Sequence, residues 1–98
     1  MKIPIVSERM DEVWVSFRHV LKRNGENKPF SEATVGWIDS RAGEERVYKG
    51  IARVHPNDAP ERKIGRKVAL ARALRFGGFT RDERKQVWVG LMGKGMRV

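Results

Sequence analysis

The hydrophobic period of this 98-residue chain changes once, at His55-Pro56. Before that point apolar residues alternate. After it they recur every three or four positions. Pro56 holds His55 extended and separates strand from helix. The change of period predicts an antiparallel sheet first and helices second, an α+β arrangement.

Asp11–Lys22 alternates cleanly, with Val13, Val15, Phe17, His19 and Leu21 on one side and Trp14, Ser16, Arg18, Val20 and Lys22 on the other. This is the pattern of a half-buried strand. Asn24-Gly25 is a hairpin signal, and Lys28-Pro29 lengthens the loop. Glu32–Asp39 reads as the second strand, with Ala33, Val35 and Trp37 on one face. Ser40–Glu44 is a turn in which Gly43 is free to take positive φ. Arg46–Val54 is the third strand, and its uncharged face, Tyr48, Gly50, Ala52 and Val54, is expected to be the inner one. Residues 1–10 hold a possible edge strand, since Ile3, Ile5 and Val6 flank a proline that a central strand would not accept. Such an edge could pair two copies, and the oligomeric state is left open.

Asp58–Phe76 has the marks of one helix. Asp58 serves as N-cap with Glu61 closing a capping box, Pro60 lies in the first turn, and Gly77-Gly78 stop it. Helical phase puts Ile64, Val68, Leu70, Ala71 and Leu74 on a broad side expected to pack on the sheet. Gly65, Ala69 and Ala73 form a stripe of small residues expected to meet a second helix through Trp88, or else a nucleic-acid backbone. That second helix opens with Thr80 and Glu83 as another capping box. It carries Val87, Trp88, Leu91 and Met92 on one stripe, and stops near Gly93. Residues 94–98 read as a frayed basic tail. The expectation is one small basic domain spanning 1–98: a three-stranded antiparallel β-meander followed by two packed α-helices, β-β-β-α-α.

The net charge of +9 is segregated. Residues 1–61 contain ten Lys/Arg and ten Asp/Glu, whereas residues 62–98 contain eleven Lys/Arg against Asp82 and Glu83 alone. A polarised basic surface attracts polyanions. Cations at a helix start oppose the helix dipole, so Arg62, Lys63, Arg66 and Lys67 make sense there if an anion arrives to neutralise them. Arg81, Arg84 and Lys85 repeat the arrangement at the next helix start. Trp14 shares a strand face with Arg18 and Lys22, so it is the residue most suited to stack on a base, with burial in the core as the alternative.

Catalytic patterns are sparse. There is no Cys, so disulfide scaffolds, Cys-ligated zinc and thiol catalysis are all excluded. His19 and His55 lack a metal-ligand spacing. His55 with Asp58 reads either as a metal or acid–base pair or as a turn residue beside a cap. No phosphate-loop or dinucleotide fingerprint is present. No cofactor and no catalysis are expected, a metal-dependent nuclease built from scattered acids being the remaining enzymatic alternative. Neither a signal peptide nor a membrane span is evident.

The runs His55-Pro-Asn-Asp58, Arg62-Lys-Ile-Gly-Arg-Lys-Val-Ala-Leu-Ala-Arg-Ala-Leu74, Arg81-Asp-Glu-Arg84 and Val87-Trp88 resemble small uncharacterised bacteriophage-encoded proteins over roughly residues 46–90. The resemblance implies an accessory protein acting in the cytoplasm of a bacterial host. A basic helix start after a three-stranded sheet is also similar to a double-stranded-RNA-binding domain. This chain lacks that family's first helix and adds one afterwards, so no residue roles are carried over. The expected function is therefore non-enzymatic binding of DNA, RNA or a ribonucleoprotein through a basic helical face, with no membrane partner. The alternative is an anti-defence inhibitor, such as an anti-CRISPR protein, that binds an acidic surface of a host nuclease complex.

Overall fold

The alternating stretches form strands and the 3.6-period stretches form helices, in the expected order. The computed structural model describes residues 1–20, 30–53 and 62–93. Its elements are β1 (Lys2–Pro4), β2 (Glu12–Val20), β3 (Phe30–Ile38), β4 (Glu45–Arg53), α1 (Arg62–Phe76) and α2 (Arg81–Gly93). The strands make a four-stranded antiparallel meander in the order β1-β2-β3-β4. The expected Asn24-Gly25 hairpin, the Asp58 capping box, His55 and the 94–98 tail lie outside the described residues.

The sheet has four strands and not the three of the expected meander, because the possible edge strand within residues 1–10 forms and joins it as β1. Ile3 pairs with Val13, and Pro4 closes β1 opposite Glu12. The Met1 ammonium donates to the Val15 carbonyl at 3.0 Å, and the Val15 N–H donates back to the Met1 carbonyl at 2.8 Å. Three residues are too few to show a period.

The inner faces follow the alternation. Val13 and Val15 on β2, Ala33, Val35 and Trp37 on β3, and Gly50 and Ala52 on β4 are buried. Trp37 stacks on Tyr48 with ring centres 5.5 Å apart and meets Phe79 edge-on at 4.7 Å. Asp39 Oδ1 accepts from the backbone N–H groups of Arg41 and Ala42 in the turn that leaves β3, and Gly43 has φ +67°.

The two helices cover one face of the sheet. α1 lies over β3 and β4, and α2 over β1. The rotation of α1 differs from the expectation. Its small-residue stripe meets the sheet, not α2. A Cβ at Gly50 would lie 2.1 Å from the Ala69 carbonyl oxygen and 2.4 Å from the Ala73 nitrogen, and one at Gly65 would lie 2.3 Å from Ser31 Oγ. Ala69, Leu70, Ala73 and Leu74 are fully buried, while Ile64 and Ala71 are exposed. Glycine at position 50 removes the side chain that would hold the helix off, so the helix side with the smallest residues makes the closest approach. α2 buries Val87 and Leu91, rests Trp88 partly on the core, leaves Met92 exposed and seats Gly90 against Ile3.

The turn between the helices satisfies the end of one and the start of the other. The Phe79 N–H donates to the Leu74 carbonyl and the Gly78 N–H to the Arg75 carbonyl, with Gly78 at φ +68°. This is a Schellman stop, and its usual apolar contact is supplied by Phe79 and Leu74, both buried. Thr80 and Glu83 form the expected capping box. The Thr80 N–H donates to Glu83 Oε1 at 2.8 Å, and the Glu83 N–H donates to Thr80 Oγ1 at 3.2 Å.

Candidate polyanion interface

On each helix a row of cations sits opposite the buried stripe. Lys67, Ala71 and Arg75 are exposed at four-residue spacing along α1. Arg81 and Lys85 do the same on α2, with Val89 and Met92 continuing that side. Arg72 and Arg84 flank the rows. Arg75 and Arg81 stand just either side of the Gly77–Thr80 turn, so both rows converge on it.

Pairing separates these cations from the rest. In the sheet and its loops, Arg9 reaches Glu83, Arg18 and Lys49 reach Glu32, Arg41 reaches Glu8, and Arg46 reaches Glu44. Among the described residues, no helix cation from Arg66 to Lys85 has a carboxylate partner. Arg72 donates to the Ile51 carbonyl at 2.6 Å and Arg84 to the Phe79 carbonyl at 3.4 Å, neither of which cancels charge. The only helix acids among the described residues, Asp82 and Glu83, are engaged by Gln86 and by Arg9. Unneutralised charge therefore concentrates on the helix layer.

The expected site residues divide. Lys67, Arg81 and Lys85 are exposed on the basic rows, and Arg84 is partly buried beside them. Arg62 and Lys63 are the first two residues of α1. Arg66 shares the helical phase of Ala69, Leu70 and Ala73 and is only partly exposed. Its Nε is buried without a hydrogen-bond partner. Arg66 therefore turns towards the sheet and is not a freely presented cation of the first two turns. Trp14 is on the opposite face of the sheet from both helices, so it does not join the cations. Arg72 and Arg75 lie outside the set expected from the sequence. The signal for them was the short glycine turn, which brings the end of α1 to the start of α2.

A second polar cluster lies where the segment after β1 meets the start of α2. It lines an open cleft of about 590 Å³ that includes Ser7, Arg9, Arg41, Thr80, Asp82 and Glu83. Glu83 is buried and accepts from Ser7 Oγ, from Arg9 Nε at 3.1 Å and Nη2 at 2.9 Å, and from the Thr80 N–H. Burial pushes its carboxyl pKa up, but these hydrogen bonds and the Arg9 charge together hold it down at about 2. A carboxylate held that low and already saturated with donors is a fastener, not a general acid or base. Among the described residues no three His, Asp or Glu gather as metal ligands, and no helix is long and apolar enough to cross a membrane. The chain matches no family model, no curated protein and no solved structure.

Proposed function

We propose that this protein is a non-enzymatic binding protein that grips nucleic acid, or a ribonucleoprotein, through the outer side of α1 and α2. The observation that carries this reading is the row of helix cations without carboxylate partners, set against a sheet layer in which Arg9, Arg18, Arg41, Arg46 and Lys49 have them and only Lys2 and Arg53, among the described residues, do not. Binding would proceed by phosphate neutralisation with release of counterions, largely independent of base sequence. Two rows converging on a turn form a band, which suits an extended polyanion better than a small phosphorylated ligand.

The affinity for duplex or single-stranded oligonucleotides is expected to fall steeply with salt. Neutralising Arg75 or Lys85 should reduce the slope of log affinity against log salt by about one for each lost phosphate contact. Reversing Lys67, Arg75, Arg81 and Lys85 to Glu should abolish binding while leaving the thermal transition in place, because all four side chains are exposed. Fluorescence anisotropy across a salt series measures both effects. Salt-independent binding, or none to any DNA or RNA, sinks the proposal.

One observation favours the second reading, an inhibitor seated on an acidic protein surface such as that of a host nuclease complex. Ile64, Val89 and Met92 are exposed at 57%, 60% and 65% on the helix layer that carries the cations. Phosphates make no use of apolar side chains, whereas a protein surface does. Retention of one host protein after nuclease treatment, lost on Val89→Glu, distinguishes this reading from direct nucleic-acid binding.

A further inference from the structure

The sheet face opposite the helices is uncovered among the described residues, and its side chains are not arranged at random. One end carries Glu12 on β2, beside Pro4, and Ile38 opposite Glu45 on β4. The next row places Trp14, Gly36 and Val47 side by side. Trp14 lies down over Gly36, where a Cβ would come within 2.9 Å of its Cε3 atom, and Ile38 and Val47 are 54% and 50% exposed. The other end carries Arg18 and Ile51, then Phe30 with the Arg53 guanidinium 5.7 Å from its ring centre. The charge is therefore polarised along the strands. Glu12 and Glu45 outnumber Lys2 at one end. At the other, Arg18 and Arg53 outnumber Glu32, which Arg18 approaches to 3.5 Å, while Lys49 in the middle row, opposite Thr34, reaches the same carboxylate at 4.0 Å.

We infer that two copies of this chain pack through this face, sheet against sheet, related by a two-fold axis running across the strands in the plane between them. That axis reverses the rows and keeps the strand order. Glu45 of one copy then faces Arg53 of the other, Ile38 faces Phe30, Val47 faces Ile51, and the Trp14 ring faces the Arg18 guanidinium. Each of these is a favourable pairing, the last a cation–π contact, and the like-charge pair that the axis also creates, Lys49 facing its own mate in the middle row, has Glu32 4.0 Å from each ammonium to offset it. An axis along the strands would instead set the acidic ends against each other. Facing sheets pack ~10 Å apart and within ~30° of alignment, so opposed rows stay in register near the axis. Three nine-residue strands and a short fourth present a projected area of roughly 500 Å². With side-chain relief this is on the scale of the ~800 Å² per partner of a stable interface.

Other occupants fit less well. Glu12, Glu32 and Glu45 oppose a polyanion on this side. Pairing of sheet edges is obstructed, because β1 ends at Pro4 and Arg72 occupies the Ile51 carbonyl on β4. The dimer would carry its two basic helix layers on opposite outer surfaces. The inference does not depend on what those layers bind.

The test is the mass of the full chain by light scattering across a concentration series. The expected particle has twice the 11.3 kDa of one chain. Val47→Glu should shift it to monomer. Glu45→Arg and Arg53→Glu should each weaken the dimer by roughly tenfold or more, and together they should restore it, since each exchanged charge again faces its opposite. Both positions are exposed, so the charge swaps leave the fold intact even if Val47→Glu does not. A monomer at every concentration overturns the inference. So does a dimer indifferent to Val47→Glu, or a double swap that fails to restore association.

Discussion

Gly50→Ala will lift α1 off the sheet. The added Cβ would stand 2.1 Å from the Ala69 carbonyl oxygen, 2.4 Å from the Ala73 nitrogen and 3.0 Å from the Arg72 carbonyl carbon. All three are backbone atoms of the helix, so no side chain can swing aside. Moving the helix away loosens Leu70 and Leu74, both fully buried, and each is worth about 1.5–3 kcal/mol of burial. The expected cost exceeds ~4 kcal/mol, against a total stability on the order of 5–15 kcal/mol for a domain of this size. Urea unfolding followed by near-UV circular dichroism, which reports the packing of Trp37, should show the transition weakened or lost. Gly93→Ala is the control, because a Cβ there meets nothing within 4 Å. Equal midpoints for the two variants would show that the helix does not rest on Gly50.

The second large effect is expected at Glu83. Its carboxyl is held at about 2 in the folded protein, against an ordinary 4.5. A carboxyl with a lower pKa in the folded than in the unfolded chain adds its full stabilisation above about 4.5, and the contribution is lost as pH falls from there through about 2. A shift of this size corresponds to roughly 3 kcal/mol. Stability should therefore decline between pH 5 and pH 2, and Glu83→Gln should flatten that decline. At neutral pH the same variant should cost up to about 3 kcal/mol, since Arg9 is 31% exposed and keeps the Gly78 carbonyl. It removes the carboxylate from the Arg9 guanidinium, which lies 5.3 Å from the Trp37 ring centre and 5.7 Å from that of Phe79. Denaturant midpoints from pH 2 to 7 measure both. An acid limb of unchanged slope in the variant would assign the pH dependence to other groups. The knot joins Ser7 and Arg9 to the start of α2, and Gln86 extends it by exchanging two hydrogen bonds with the Val6 backbone. Its loss should free the first segment of the chain from α2.

Much of the candidate interface was legible in residue order. The run from Arg62 onward holds the unbalanced charge, and Lys67, Arg81 and Lys85 are exposed as a basic helical face requires. Arg66 was not legible. Its place in the helix start resembles that of Lys67, yet one residue's rotation carries it from the solvent side to the sheet side. Arg75 was passed over for the reverse reason, since its value comes from adjacency to Arg81 across the turn. Which cations are already neutralised was hidden too, because the pairing that removes Arg9 joins residues 74 apart in the chain.

Local chemistry alone determined the order of sheet and helices, the Gly77-Gly78 stop and the Thr80–Glu83 start. Each of these rests on groups within a few residues of one another, so the chain carries it whatever lies around it. The inner faces of the first two long strands were left open, because both alternating sets contain apolar residues. The rotation of α1, the pairing of the N-terminal edge strand Lys2–Pro4 onto β2 and the turning of Arg66 towards the sheet were decided by the tertiary structure. Ile64 and Ala71, both exposed, with the partly buried Val68 beside them, make the other side of α1 apolar enough to serve as its inner face, so helical phase could not choose between the two. The hollow at Gly50 makes that choice, because the backbone approaches most closely where no Cβ stands between helix and sheet.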